Sequence, residues 1–128
     1  IAPMKLTKAL LPIMINRKSG CIVNISSIWG VYGGSCETSY SAAKAGLIGF
    51  TKALAKETGF SGVRVNCIAP GLIRSKMNSR LSQADVNAFI NDTALGKIGT
   101  PSDVAKAARY LSEAEFVTGQ VLGVDGGF

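Results

Sequence analysis

Tyr40 and Lys44 stand four residues apart near the start of the stretch Ser39 to Glu57, SYSAAKAGLIGFTKALAKE. The stretch reads as one helix, and on a helix residues i and i+4 lie one above the other on the same face. A cation within about 4–6 Å of a phenol favours the phenolate, which suits the pair to general acid or base work. The spacing alone is a weak signal. A Tyr packed at a helix end beside a solvated Lys has the same pattern. The pair gains meaning if a third polar group is delivered to the same place. Ser27, thirteen positions before Tyr40, is the candidate.

The elements that must position these side chains are readable from apolar spacing and turn residues. Residues 3–16 form a helix with Leu6, Leu10, Ile13 and Met14 on one apolar face and Leu11 and Ile15 off it, so it should be covered on more than one side. Pro12 shapes its last turns, and Gly20 takes the place of a C-terminal turn residue. Cys21 to Ile25 is a short apolar, β-branched run of the kind covered on both faces of a parallel sheet. It runs into Ser26 and Ser27 and then a Gly-rich loop from Ile28 to Thr38. After the long helix, Val63 to Ile68 is a second strand, broken at Ala69-Pro70-Gly71. The excursion 72–99 carries a short helix behind the capping pattern Ser82 to Asp85. Thr100 to Asp103 repeats that pattern with Pro at the first helical position. Val104, Ala107, Ala108 and Leu111 give the next helix its core face, and Val121 to Val124 is a final strand.

Strands alternating with helices imply right-handed crossovers and a parallel sheet, hence an α/β fold. Open parallel sheets bind ligands beyond the carboxyl ends of their strands. Ser26-Ser27, the Tyr40 end of the long helix and Pro70-Gly71 all fall there. Three strands make a thin sheet, and the outer edge of the Cys21–Ile25 strand would be left unpaired.

Composition narrows the function classes. The 128 residues are 47% hydrophobic and 17% charged, as in a globular domain. The net charge of +6 comes from scattered Lys and Arg, so a solvated basic surface is favoured over nucleic-acid binding. There is no His, and the three Cys form no C-x-x-C pair, which argues against metal sites and Cys–His catalysis. Cys21 and Cys67 read as reduced core residues, which fits a cytoplasmic protein. No apolar run is long enough to span a membrane.

Asn24-Ile25-Ser26-Ser27, Tyr40-Ser41-Ala42-Ala43-Lys44 with its continuation to Glu57, Val63 to Gly71 and Val124-Asp125-Gly126-Gly127 together resemble the short-chain dehydrogenase/reductase family over the whole chain. Within it the sequence is similar to the 3-oxoacyl-[acyl-carrier-protein] reductases. The resemblance implies the C-terminal part of a Rossmann-like doubly wound parallel sheet, with residues 1–128 as one partial domain and 72–99 as the substrate lid. It implies Tyr40 as acid/base and Ser27 as the group polarising the substrate oxygen. Lys44 would support Tyr40 and hold the nicotinamide ribose. Pro70, Gly71, Ile73 (through its backbone) and Ser75 (where Thr is usual) would line the nicotinamide pocket. The cofactor would be NADP or NAD, with NADP preferred, and the substrate a small-molecule or acyl-carrier-bound carbonyl compound.

The Gly-rich cofactor motif, the residue that selects NAD or NADP and the catalytic Asn of the family have no counterpart here. They would precede Ile1, so the sequence reads as the C-terminal half of such an enzyme. Two alternatives accompany the 3-oxoacyl thioester reductase. One is a dehydrogenase of a sugar, polyol or steroid alcohol, decided by excursion residues such as Met77, Leu81 and Phe89. The other is an isolated chain that is inactive without its cofactor-binding half. Lys18 would suit an acidic carrier protein. The apolar first helix and the Ala-rich helix 41–56 predict a homo-oligomer, dimer or tetramer, with no nucleic acid or membrane partner.

Overall fold

The computed structural model describes residues 2–128. Its elements in chain order are α1 (Ala2–Arg17), β1 (Gly20–Ile25), α2 (Ile28–Tyr32), α3 (Thr38–Thr58), β2 (Val63–Pro70), α4 (Gln83–Asn91), α5 (Pro101–Glu113) and β3 (Val121–Val124). Single 3-10 turns lie at Gly59–Ser61 and Lys76–Asn78. The three strands form one parallel sheet in the order β1-β2-β3. This is the expected Rossmann-like arrangement in partial form, with helices on both faces.

Alternation along the strands sorts the helices. Ile22 and Val65 pair in register and face α1 and α3, where Val65, Leu54 and Ala55 are buried together against Leu11, Ile22 and Phe50. Their neighbours Cys21 and Arg64 point to the other face, where Cys21 Sγ and Arg64 Nη1 both donate to the Leu111 carbonyl of α5. Successive side chains on opposite faces are what a strand dictates. The central β2 is buried almost throughout, as a near-continuous apolar strand must be. Its one buried amide, Asn66, has a partner at each polar atom: Nδ2 donates to Val117 O and Oδ1 accepts from Gln120 N–H.

Four local expectations need correction. The segment 28–38 is not all loop, because Ser27 caps α2 by accepting the Trp29 N–H at 3.2 Å. One turn and a half is too short to display a helical period in sequence. The first helix is closed by Lys18 at φ 50 rather than by Gly20. Ser19 N–H reaches back to Met14 O and Lys18 N–H to Ile15 O, the paired bonds of a Schellman turn. The second strand extends two residues further, because Ala69 and Pro70 pair with Gly123 and Val124 of β3. Finally, α1 is covered on one side only. Thr7 is its one buried residue, while Leu6 and Ile13 are 63% and 51% exposed. Among the described residues, what lies beneath it is the sheet and the Leu54–Ala55 cluster of α3 against which Leu11 packs.

The two capping boxes are present. Asp85 accepts the Ser82 N–H, and Asp103 accepts both the N–H and the hydroxyl of Thr100. Those bonds hold the Asp103 carboxyl below its ordinary value. Burial pushes the Cys67 thiol up, which makes it a packing group rather than a nucleophile.

Candidate active site

The site forms where β1 ends. Its last carbonyl, Ile25 O, accepts from Lys44 Nζ at 2.9 Å. The next residue, Ser26, is buried and donates its hydroxyl to the Lys44 carbonyl at 2.8 Å, while its N–H pairs with Ile68 O of β2. Strand β1 therefore grips both ends of Lys44. The ammonium is thereby placed 5.6 Å from the centroid of the Tyr40 ring, one helical turn back. Among the described residues the ion pair present is Arg109–Glu113, so no carboxylate neutralises Lys44.

Ser27 follows directly and is buried. Its oxygen accepts from Trp29 N–H, and among the described residues no acceptor takes its hydroxyl proton. A hydroxyl in that state can donate to a substrate oxygen. Tyr40 is 36% exposed, and its phenol oxygen makes no hydrogen bond to the described residues. The ammonium thus lies over the Tyr40 ring, the phenol oxygen is open to a ligand, and both are backed by the Ser26–Ser27 turn.

Close approach of α2 to α3 sets this geometry. A Cβ at Gly30 would lie 2.7 Å from Ser26 Oγ and 2.8 Å from the carbonyl carbon of Lys44. Sequence reasoning places Ser26 at the strand end without a catalytic role and does not single out Gly30. The structure makes them the residues that fix the height of Lys44 against β1. The only available signal is a Gly four positions after a Ser, which is not distinctive.

The remaining candidates lie at the end of β2, beside β1. Pro70 pairs with Val124, and the Gly71 N–H donates to Val124 O at 3.0 Å. Gly71 is required there, since a Cβ would stand 2.9 Å from Asp125 Cα. Ile73 bridges in parallel to Gly99, closing the base of the excursion. Its carbonyl accepts from Asn78 Nδ2, whereas its N–H has no acceptor among the described residues. Ser75 is extended at φ −151 and precedes the Lys76–Asn78 turn. Ser27, Tyr40 and Lys44 are brought together at the β1 end, while Ile73 and Ser75 sit on the segment leaving β2.

The donor set fits the nicotinamide-ribose end of a dinucleotide. An unneutralised ammonium suits a ribose diol, and an open backbone N–H suits a carboxamide oxygen. A separate cleft of about 500 Å³ lies between Leu72, Ala94, Leu95, residues 97–99, Asp103 and residues 123–127, and contains none of the three catalytic candidates. Its acids are already occupied, Asp125 by Gly127 N–H and Asp103 by Thr100. Among the described residues no group of His, Cys, Asp and Glu could hold a metal ion, and no helix is long and apolar enough to cross a membrane.

Comparison with known proteins agrees with this geometry. A family model described as Enoyl-(Acyl carrier protein) reductase matches residues 1–128. The 3-oxoacyl-[acyl-carrier-protein] reductase of Chlamydia muridarum is 50% identical over 121 residues, 93% of this chain and 49% of that protein. An oxidoreductase of Bacillus subtilis is 43% identical over 129 residues, covering 99% of this chain and 53% of that protein. The crystal structure of a 3-oxoacyl-[acyl-carrier protein] reductase from Brucella melitensis superposes with a TM-score of 0.91 at 37% identity, over 98% of this chain and 48% of that one. The chain spans about half the length of the relatives it matches. With the whole sequence matched and the Ser, Tyr and Lys positions assembled at one sheet edge, this chain belongs to the short-chain dehydrogenase/reductase family and is similar within it to the 3-oxoacyl-[acyl-carrier-protein] reductases.

Proposed function

We propose that this chain carries the proton-transfer half of an NAD(P)-dependent carbonyl reductase acting on 3-oxoacyl thioesters. The observation that carries the reading is the Lys44 ammonium, held by a neutral carbonyl and unpaired with any described carboxylate, against the open phenol of Tyr40. When bound, the dinucleotide supplies the hydride. Ser27 donates its free hydroxyl to the substrate oxygen and stabilises the negative charge that builds there. Tyr40 delivers its proton to that oxygen, and Lys44 stabilises the phenolate left behind. Lys44 also binds the ribose hydroxyls. Pro70, Gly71, Ile73 and Ser75 form the nicotinamide side of the pocket, with the Ile73 N–H as its open donor. The cofactor preferred by family resemblance is NADP.

The excursion 72–99, with Met77 and Leu81 exposed, forms the acyl side of the site. The names of the similar reductases favour a carrier-bound acyl chain over a sugar, polyol or steroid alcohol. The exposed Leu6, Leu10 and Ile13 of α1 support a homo-oligomer, since an apolar stripe of this kind is normally covered.

The test is an NADPH-oxidation assay on the whole protein with a 3-oxoacyl thioester beside a panel of keto sugars, the ketones that correspond to polyols, and steroid ketones. We expect turnover with the thioester at least about tenfold above the panel in kcat/KM, the margin that one or two additional apolar contacts provide. Equal or greater turnover with a panel member would overturn the substrate assignment, and no oxidation with any of them would overturn the activity.

A further inference from the structure

Four aromatic rings from three distant segments meet beside the site. Phe89 of α4 stacks on Phe128 with centroids 5.0 Å apart. Trp29 of α2 meets Phe128 edge-on at 5.4 Å and Phe89 edge-on at 6.4 Å, and Tyr32 leans on Phe128 at 5.9 Å. Offset and edge-to-face contacts of this kind are attractive beyond the area they bury.

Trp29 also connects the cluster to the chemistry at two points. Its N–H is bonded to Ser27 Oγ. Its ring lies against Gly34, where a Cβ would stand 3.0 Å from Trp29 Cδ2. Gly34 in turn donates its N–H to Ser41 Oγ, next to Tyr40. Trp29 thus joins the Ser27 turn through its backbone N–H, while its indole meets Gly34, Phe89 of the excursion's helix and Phe128.

Little else holds α4. None of its residues is buried. The excursion is closed at its base by the Ile73–Gly99 bridge and near its end by Ala94 and Leu95, whose N–H groups donate to Gly127 and Gly126 carbonyls. Between those two fastenings, Phe89 is the group of α4 that reaches the aromatic cluster.

We propose that Phe89, Phe128 and Trp29 form a latch that holds α4 over the Ser27–Tyr40 corner and makes Phe89 a specificity-determining residue for the apolar part of the substrate. This rests on the carbonyl-reductase reading above. The latch acts on binding rather than on proton transfer, because no ring in it carries a group that the reaction uses. Opening it lets the acyl portion lose its cover while Ser27 keeps its place at the cap of α2 and Tyr40 and Lys44 keep theirs on α3.

Trp29 is the only tryptophan of the chain, so it reports on its own surroundings. In the whole protein, subtracting the spectrum of a Trp29→Phe variant isolates its emission. Phe89→Ala should shift that emission to the red and raise its quenching by acrylamide. It should also raise KM for a 3-oxoacyl thioester about tenfold with kcat within about twofold, the size expected for losing aromatic contacts that act on binding alone. Phe89→Tyr, which keeps the ring, should restore both. Unchanged emission in Phe89→Ala would show that Phe89 does not latch Trp29. Shifted emission with unchanged KM, or a fall in kcat alone, would refute the specificity role. No turnover in the unsubstituted protein would count against the reductase reading instead. The emission measurement needs no substrate and would still decide whether the latch exists.

Discussion

Tyr40→Phe in the whole protein should lose about 10²–10⁴-fold in kcat, the usual contribution of a positioned general acid. The substitution removes one oxygen and leaves the ring. That oxygen makes no hydrogen bond to the described residues and the side chain is 36% exposed, so folding has no use for it. Thermal stability should stay within about ±0.5 kcal/mol, as for surface changes away from caps, cavities and networks. The ring also keeps its position 5.6 Å from the Lys44 ammonium. A variant that folds normally and turns over normally would remove Tyr40 from the mechanism. A variant that unfolds would show that the phenol has a structural partner outside this chain.

Gly30→Ala should be the most damaging small substitution for fold and site together. The added methyl would stand 2.7 Å from Ser26 Oγ and 2.8 Å from the Lys44 carbonyl carbon. The hydroxyl could rotate away, but the backbone of α3 cannot. Relief requires α2 to back off from α3, and the Ser26–Lys44 bond is the first contact that separation breaks. Overpacking of this kind destabilises by about 1–3 kcal/mol, a fall in Tm of roughly 3–15 °C for a domain of this size. Because the same movement shifts Lys44 relative to β1, kcat/KM should fall by about 100-fold even where the protein remains folded, as expected for a displacement near 1 Å. Gly59→Ala is the matched control. Gly59 has helical φ −56 with nothing within 4 Å of its Cβ position, so that change should be neutral or stabilising by up to about 1 kcal/mol. Equal effects of the two substitutions in a melting experiment would contradict the role given to the α2–α3 approach.

These two residues differ in how visible they are in sequence. Tyr40 and Lys44 are legible because a spacing of four converts directly into a shared helix face. Ser27 is legible as a partner because strand, loop and helix return it to the same sheet edge. The parallel order of the sheet follows from alternation of strand and helix, and both capping boxes follow from residue types at fixed offsets. Gly30 is not legible in this way. Its importance comes from a 2.7 Å approach between two helices, and nothing local in the sequence encodes that distance. The short α2 escapes notice because five residues cannot show a period, and its cap is the same Ser27 oxygen that reads as catalytic. The Trp29–Phe89–Phe128 cluster joins three segments with no common repeat, so only the folded chain reveals it. The exposed face of α1 is a different case. Its apolar pattern is real, but the described residues supply no second surface to cover it.

The central claim is that Ser27 and Tyr40, backed by Lys44, act on one substrate oxygen as a unit. The most direct test is kcat/KM of the Ser27→Ala/Tyr40→Phe double variant beside both single variants. Ser27 also caps α2, and loss of the cap destabilises by about 1 kcal/mol, so each protein is assayed well below its Tm. Groups that act together are strongly non-additive. The account predicts that the double variant loses little more than the worse single variant, within about fivefold. Losses that multiply across the two positions would mean that Ser27 and Tyr40 act independently, and the shared site described at the end of β1 would be wrong.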